Sequence, residues 1–248
     1  MGVGQKFKNG LKEIRRILLY GSRASTKRYI RYMNRMGAQI DESVQMAVPE
    51  SVRLDKTTPW MLRIGKNVYI AEGVKILTHD ASWMVMMGKD GELYGHIAPV
   101  NIGNNVFLGV DSIVMCNVSI CDNVIVGAGA VVTKNICSSG VYAGNPAKKV
   151  MDLEQMGAIR ESRQLKEALV LAERYQDRYG TFPPREVFEE YFWLFEKKEL
   201  DRLPECFRRQ MTCGGNYDMV AKRFMESEPE FEGFEAFRKW CGEKRWQE

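Results

Sequence analysis

The strongest constraint on this chain is an apolar residue that recurs at every sixth position between residues 40 and 132. A period of six fits neither the 3.6-residue turn of an α-helix nor the two-residue alternation of a long strand. It is typical of short strands joined by tight turns and wound into a β-helix, in which inward-facing residues stack from one coil to the next. Thr58 is the exception among thirteen positions: Ile40, Met46, Val52, Thr58, Ile64, Ile70, Ile76, Ile102, Leu108, Val114, Ile120, Val126 and Val132.

The six-residue register is interrupted between Ile76 and Ile102, and His79 lies at the start of the interruption. His79 and His96 are the two histidines of the chain. Glycines within residues 77–99 mark turns, so we expect this stretch to leave the β-helix as a loop. An insertion in a solenoid forms a loop on one face, which is often the binding face. The interruption is therefore the first place to look for a functional site.

Residues 1–37 form a basic segment that differs from the rest of the chain. Ten lysines and arginines against one acidic residue give it a net charge of +9, whereas the other 211 residues carry −5. Apolar residues at helical spacing predict two helices within residues 5–36, broken near Gly21 and stopped at Gly37. The positive charge is therefore a local feature and not a property of the whole fold.

Residues 151–248 predict an α-helical extension. The stretch LEQMGAIRESRQLKEALVLAERYQDRY has the pattern of one amphipathic helix that ends at Gly180, and PPREVFEEYFWLF predicts a second helix that begins at its prolines. No residue of the extension requires a chemical role. The aromatic residues of the second stretch recur at helical spacing, which indicates core packing: Phe188, Tyr191, Phe192 and Phe195.

The composition excludes several classes of protein. No run approaches the roughly 18 apolar residues of a membrane span, and the basic N-terminus lacks the apolar core and cleavage site of a secretory signal. The six cysteines show no CxxC spacing, which favours the reduced thiols of a cytoplasmic protein over a disulfide framework or a zinc ribbon. Nucleic-acid binding is not expected, because no recognised motif accompanies the basic segment.

Several motifs in a fixed order carry a family resemblance. The repeat is accompanied by THD at 78–80, KDGE at 89–92, IGNNVFLG at 102–109, GAGAVVTKNI at 127–136 and AGNPAKKV at 143–150. Together they resemble the hexapeptide-repeat acyltransferases, nearest to sugar and polysaccharide O-acetyltransferases of the capsular, O-antigen, maltose or galactoside type. The resemblance implies a mainly β fold, with a left-handed parallel β-helix at 38–150 between the helical segment 1–37 and the α-helical extension 151–248. It also implies a homotrimer with active sites between neighbouring subunits.

Coils of 18 residues, as the family has them, can be counted along the repeat. Two coils would run 40–57 and 58–75, and two more 102–119 and 120–137. The 26 residues from Ile76 to Ile102 would then hold one coil with eight surplus residues. The loop at 77–99 is expected to carry that surplus.

The resemblance assigns the catalytic base to His79. A sugar hydroxyl is a poor nucleophile at pH 7, and a histidine with an unperturbed pKa of ~6.5 can remove its proton during acetyl transfer. Such a base needs a partner that orients it, and the family's loop carboxylate matches Glu92. Asp80 is an alternative partner, but adjacent side chains on an extended chain point apart. His96 matches no family motif and is expected to be structural or substrate-lining.

The resemblance also implies the co-substrate acetyl-CoA and no metal. Small residues would let the pantetheine arm approach the backbone, and lysines would face the phosphates of the coenzyme. In the loop, Trp83 and Met84 either bind substrate or pack against a neighbouring subunit. The cofactor-binding positions expected on this basis are Gly109, Gly127, Ala128, Gly129, Lys134 and Lys148.

The function expected from these features is acetyl-CoA-dependent O-acetylation of a sugar hydroxyl in bacterial surface polysaccharide synthesis. The alternatives are O-acetylation of a xenobiotic such as an antibiotic, and a non-enzymatic scaffold, which would need neither His79 nor Glu92. Residues 1–36 combine positive charge with an apolar stripe, which suits peripheral contact with anionic lipid at the inner face of the membrane. Packing of this segment on the trimer is the other interpretation.

Overall fold

The computed structural model describes residues 3–244, with side chains described from residue 10 onward. Residues 1–2 of the basic segment and 245–248 of the C-terminal extension lie outside the described residues, as do the side chains of Lys6 and Lys8. The chain divides into two compact units, Met1–Leu153 and Glu154–Glu248. Each has its own hydrophobic core.

The first unit is a parallel β-helix with three faces. Each coil contributes one short strand to each of three sheets, and strands of successive coils pair in parallel. The left-handed β-helix expected from the repeat is confirmed. The strands are β1 (Gln39–Ile40), β2 (Gln45–Met46), β3 (Arg53–Leu54), β4 (Leu62–Ile64), β5 (Tyr69–Ile70), β6 (Lys75–Ile76), β7 (His79–Asp80), β8 (His96–Ile97), β9 (Val100–Ile102), β10 (Val106–Leu108), β11 (Ile113–Val114), β12 (Val118–Ile120), β13 (Val124–Val126), β14 (Val131–Val132), β15 (Gly140–Ala143) and β16 (Lys148–Met151).

The three sheets follow from the alternation within each strand. The aliphatic residues of the repeat point inward and are buried, while their neighbours in the strand face outward. The corners require positive φ, which Asn105 and Asn123 adopt at 54° and 60°. These two side chains also stack between coils, with Nδ2 of Asn105 donating to Oδ1 of Asn123 at 2.6 Å. The sheets have the strand orders β1-β4-β9-β12, β2-β5-β10-β13-β15-β16 and β3-β6-β11-β14.

Strand register corrects the expected division into coils. Ile102 pairs with Ile120, which is an offset of 18 residues, but Ile64 pairs with Ile102, an offset of 38. The gap after Ile76 therefore holds 20 surplus residues and no coil, rather than one coil and eight. Ile40 pairs with Ile64 at an offset of 24, so the first coil carries six surplus residues. Because six equals one repeat, the count in sixes crosses this first excursion without losing phase.

The two surpluses leave the β-helix at the same corner. The first runs between β3 and β4 and contains a 3₁₀ turn at Pro59–Met61. The second forms an arm between β6 and β9, in which β7 and β8 pair antiparallel and α3 (Trp83–Asp90) lies between them. Leu54 of β3 pairs with Ile76 of β6, so both excursions begin side by side on neighbouring coils.

Two helices precede the β-helix, as the spacing of apolar residues predicted. They are α1 (Val3–Tyr20) and α2 (Thr26–Arg35), separated by a 3₁₀ turn at Gly21–Ala24. Tyr29, Ile30 and Met33 of α2 are buried in the core of the β-helix. Asn34 exchanges hydrogen bonds of 2.8 and 2.9 Å with the backbone of Ile40, on the edge strand of its sheet. This cover suits an edge strand that would otherwise expose unpaired backbone groups.

The second unit is helical around an aromatic core. It contains most of α4 (Leu153–Tyr179), then α5 (Glu205–Thr212), α6 (Tyr217–Glu226) and α7 (Phe234–Lys244). The aromatic residues expected in a core are buried there, with Tyr191 half-buried. The helix expected for PPREVFEEYFWLF is wrong: this stretch forms 3₁₀ turns at Arg185–Phe188 and Phe192–Leu194. Consecutive residues from 192 to 196 all turn inward at least partly, which a single helical face cannot provide.

None of the helices in the described part of the chain has the length and apolarity that a transmembrane span requires.

Candidate functional site

A buried carboxylate and a histidine meet at the shared corner of the two excursions. Asp55 follows β3 directly, and His79 follows β6 after two residues. The register of β3 on β6 brings these chain segments side by side. Oδ2 of Asp55 lies 2.5 Å from Nδ1 of His79. Residues 24 positions apart are thereby joined into one site by the coil stacking.

Asp55 is held in its ionised form. Burial by itself raises the pKa of this carboxyl, but the backbone amides of Thr57 and Thr78 donate hydrogen bonds to it, each at 2.9 Å. These bonds and the one from His79 outweigh burial and lower the pKa of Asp55 from 3.8 to about 2. A carboxylate with several donors is expected to behave in this way.

The Asp55 carboxylate determines which nitrogen of His79 carries a proton. An ionised carboxylate only accepts hydrogen bonds, so Nδ1 of His79 is the donor. In the neutral imidazole, Nε2 then carries the free lone pair. The side chain of His79 is 38% exposed, whereas that of Asp55 is 4% exposed. The pair therefore presents a basic nitrogen on a partly exposed ring, backed by a buried negative charge.

Two buried threonine hydroxyls tie the excursions together behind this pair. Oγ1 of Thr58, in the first excursion, lies 2.8 Å from Oγ1 of Thr78, in the second. Both residues are buried, and the amide of Thr78 is one of the donors to Asp55. The position of His79 is thus set by backbone and side-chain bonds on the adjacent residue.

Asp55 occupies the orienting role that the sequence analysis assigned to Glu92. Glu92 is exposed, follows α3 in the arm, and makes no hydrogen bond or ion pair within residues 10–244. The physical reason is the coil register, which places Asp55 beside the chain leading to His79, whereas Glu92 lies on the far side of α3 in sequence. The alternative partner, Asp80, instead accepts hydrogen bonds from the amide and hydroxyl of Ser82.

His96 lies in a second, separate cluster on the arm. Its Nδ1 is 3.8 Å from Oδ2 of Asp80, and its Nε2 is 3.5 Å from Sγ of Cys116. Burial raises the pKa of the Cys116 thiol, and the charge of Asp80 raises it further. Cys116 is therefore a protonated thiol at neutral pH, and its contact with His96 joins β8 to the neighbouring β-helix.

The apolar residues of the arm form a short exposed helix. Trp83 begins α3 and is half-buried, and Met84 is 56% exposed. None of the residues of α3 is buried within the described chain. An exposed helix with this many apolar side chains leaves a surface that a substrate or a second subunit could cover.

The small residues expected near the coenzyme fall into two groups. At Gly109 a Cβ would come within 2.6 Å of the Ala128 amide, and at Gly127 it would come within 3.2 Å of Ala143. Glycine is therefore required at Gly109 for close coil stacking. Gly129 has φ of +67° and open space around it, and Ala128 beside it is exposed. These two leave room for a ligand along the backbone.

Lys134 and Lys148 are both exposed, and neither forms an ion pair within the described residues. Lys134 follows β14 and Lys148 begins β16. Both ammonium groups are therefore available to an anion. Lys149, next to Lys148, is bound to Asp152 at 2.6 Å.

Counting the repeat missed Asp55, although the sequence contained a signal for it. Thr58 was the exception among the thirteen repeat positions, and the surrounding LDKTTPW replaces the aliphatic pattern with polar residues and a proline. That local change marks the first excursion. Among residues 10–244, no group of three or more His, Cys, Asp or Glu side chains is arranged to hold a metal ion.

Comparison with protein families and curated proteins finds related chains. Residues 99–134 match the family model "Hexapeptide repeat of succinyl-transferase". Protein CapG of Staphylococcus aureus is 36% identical over 126 residues, covering 49% of this chain and 70% of CapG. Galactoside O-acetyltransferase of Escherichia coli K12 is 35% identical over 94 residues, covering 38% of this chain and 45% of that protein.

Comparison with solved structures finds similar chains of lower overall agreement. A maltose O-acetyltransferase from Clostridium difficile 630 is 22% identical, with a TM-score of 0.42, over 58% of this chain and 84% of that one. A galactoside acetyltransferase in complex with coenzyme A is 24% identical, with a TM-score of 0.39, over 62% of this chain and 84% of that one.

Proposed function

We propose that this chain, which belongs to the hexapeptide-repeat acetyltransferase family, transfers an acetyl group from acetyl-CoA to a hydroxyl group of a sugar. The observation that carries the proposal is the Asp55–His79 pair, in which a buried carboxylate holds Nδ1 of a partly exposed imidazole. This is the arrangement that an oriented general base requires.

His79 would act on the acceptor hydroxyl. Its Nε2 takes the hydroxyl proton as the oxygen attacks the acetyl carbonyl, and a base of this kind contributes about 10²–10⁴-fold to the rate. The imidazolium that forms is stabilised by the negative charge of Asp55, 2.5 Å from Nδ1. His79 can then return the proton to the departing thiolate, which restores the neutral ring.

Acetyl-CoA supplies the acetyl group as a thioester, and the residues available to it fit such a ligand. Lys134 and Lys148 are exposed cations without ion pairs in the described chain, as the binding of coenzyme phosphates requires. Ala128 and Gly129 leave open space beside the backbone. Gly109 and Gly127 would form the tightly stacked wall behind them.

The acceptor proposed is a sugar, as in the name of the related galactoside O-acetyltransferase. We place the reaction in the synthesis of a bacterial surface polysaccharide, on the basis of the family resemblance of residues 38–150. The enzyme would work as a cytoplasmic homotrimer, in which a neighbouring subunit covers the exposed apolar residues Trp83 and Met84 and helps to enclose the acceptor.

The test is an acceptor screen with acetyl-CoA, in which free thiol is measured with nucleotide sugars, oligosaccharides and hydroxylated antibiotics. We expect thiol release that depends on a sugar, and an acetylated sugar by mass spectrometry. Release with an antibiotic and no sugar would contradict the proposed acceptor. The absence of release with every acceptor would favour a scaffold.

Two matched variants then test the base. His79→Ala should lower kcat by about 100-fold or more, because no other group is held at the corner to take the proton. His96→Ala removes the other histidine of the chain and should leave most of kcat, since His96 contacts Asp80 and Cys116 rather than Asp55. A His79→Ala enzyme with the wild-type rate would rule out the proposed mechanism.

A further inference from the structure

The first helix turns its apolar side toward solvent. Leu11, Ile14 and Leu18 of α1 are spaced i, i+3 and i+7, which places them in one stripe. They are 53%, 56% and 82% exposed. A helix that folds against its own protein buries such a stripe, so this one is left without a partner in the described chain.

The opposite side of α1 is attached to the β-helix. Arg16 lies two residues from both Ile14 and Leu18, and at about 100° per residue it falls on the other side of the helix. Its guanidinium donates to Glu50 at 2.8 Å and to the carbonyl of Ala24 at 3.0 Å. Arg23 adds a bond of 2.9 Å to the Glu50 carbonyl. Polar contacts therefore hold α1 with its apolar stripe facing outward.

The charge around the stripe is positive. Lys12 and Arg15 are exposed beside it and form no ion pair in the described residues. Residues 1–37 together carry a net charge of +9. The next helix continues this pattern, with Lys27, Arg31 and Arg35 on successive turns lining a groove of about 710 Å³.

We propose that α1 is a membrane-docking helix that lies in the interface of an anionic lipid bilayer, with Leu11, Ile14 and Leu18 inserted among the acyl chains. An apolar stripe flanked by cations is the pattern of helices that lie in the plane of a membrane. Each cation near an anionic surface adds to the binding. Pairing of the stripe with the same stripe of a second copy would instead bring two basic segments together, which their like charges oppose.

The experiment measures co-sedimentation of the full-length protein with phosphatidylcholine vesicles, with and without phosphatidylglycerol. We expect binding to the anionic vesicles that weakens as salt is raised, since salt screens the attraction. Leu18→Gln should lower the partition coefficient by about tenfold, because a buried leucine side chain is lost from the lipid. The double variant Lys12→Gln/Arg15→Gln should lower it by about fivefold for each cation.

Leu19→Gln is the matched control. It makes the same change one residue away, at a side chain that is 63% exposed but lies off the stripe. We expect it to keep most of the binding. Equal losses for Leu18→Gln and Leu19→Gln, or equal binding to both kinds of vesicle, would contradict the proposal. A change in oligomeric state for Leu18→Gln in light scattering would show that a second copy covers the stripe, which would also overturn it. Acetyl transfer is not needed for any of these readings.

Discussion

Asp55 illustrates how a single side chain sets the chemistry of its neighbour. Its carboxylate is almost completely buried, yet hydrogen bonds hold its pKa at about 2. Because it stays ionised at neutral pH, it accepts a proton from Nδ1 of His79 and leaves Nε2 basic. A residue that does not touch the substrate in this arrangement would decide whether His79 can act as a base.

Replacing the charge of Asp55 should therefore impair catalysis more than folding. In the Asp55→Asn enzyme, the neutral amide no longer fixes the tautomer of His79 or stabilises its imidazolium, and we expect kcat to fall about 100-fold. Steady-state thiol release and circular dichroism measure the two effects. Asp80→Asn makes the same change at a carboxylate that bonds Ser82, and it should cost less than about tenfold. Equal losses in the two variants would argue against the role of Asp55.

The lowered pKa of Asp55 also predicts how stability depends on acid. The folded value of about 2 lies below the ordinary value of 3.8, so the ionised carboxylate contributes stability above about pH 4. This contribution, ~2 kcal/mol, is lost as pH falls from about 4 to about 2. Urea unfolding of the wild type and Asp55→Asn at several pH values should show their difference shrinking over that window. A constant difference would contradict the assignment.

Ser112 occupies a repeat position at which other coils carry valine or alanine. It is fully buried, and its hydroxyl has no hydrogen-bond partner within the described residues. We expect Ser112→Ala to raise the free energy of unfolding by about 1 kcal/mol, because an unsatisfied buried hydroxyl is removed. Ser119→Ala, at an exposed position of the following strand, is the control and should stay within about 0.5 kcal/mol. A destabilised Ser112→Ala protein would contradict this.

At the scale of elements, the site is made by two departures from a regular repeat. The coils supply parallel strands with fixed spacing, and each excursion leaves from the same corner. The Thr58–Thr78 hydroxyl pair joins the two excursions where they separate from the β-helix. A rigid scaffold with irregular segments at one corner positions side chains more precisely than a free loop would.

The threonine pair can be tested by a double-mutant cycle. Thr58→Val or Thr78→Val alone leaves the other buried hydroxyl without its partner, so each should cost about 1–3 kcal/mol in the free energy of unfolding. The double variant removes both hydroxyls and should cost less than the sum of the single changes, by at least about 1 kcal/mol. Strict additivity in denaturant unfolding would show that the two excursions are not coupled through this bond.

At the scale of the whole molecule, two cores of different composition stabilise the two units. The β-helix is filled by Ile, Val and Leu, one layer for each coil. The C-terminal unit is filled by aromatic rings, such as Phe192 and Phe207, whose ring centroids are 4.7 Å apart. Stacked and edge-to-face rings of this kind add to the stability gained from burial alone.

Phe207→Ala should lower the stability of the C-terminal unit by about 3–5 kcal/mol, since it leaves a cavity in a closely packed core. Trp193 and Trp240 pack against the same core, so their fluorescence during urea unfolding reports the change. Phe107→Ala, at a ring that is 39% exposed on the β-helix, should leave that transition in place. An unchanged transition for Phe207→Ala would contradict the role given to the aromatic core.

The sequence by itself determined the β-helix, because an aliphatic residue at every sixth position can be buried only if short strands stack in register. It also determined that His79 lies where the repeat is interrupted, and that α1 has one apolar stripe. These are local patterns, and local spacing is enough to detect them. Only the tertiary structure decided that Asp55 faces His79, because their contact depends on an offset of 22 residues between Leu54 and Ile76 that no regular count contains. Only the tertiary structure showed that Arg16 attaches α1 by its polar side, because the direction of a helix face depends on what the rest of the chain places beside it.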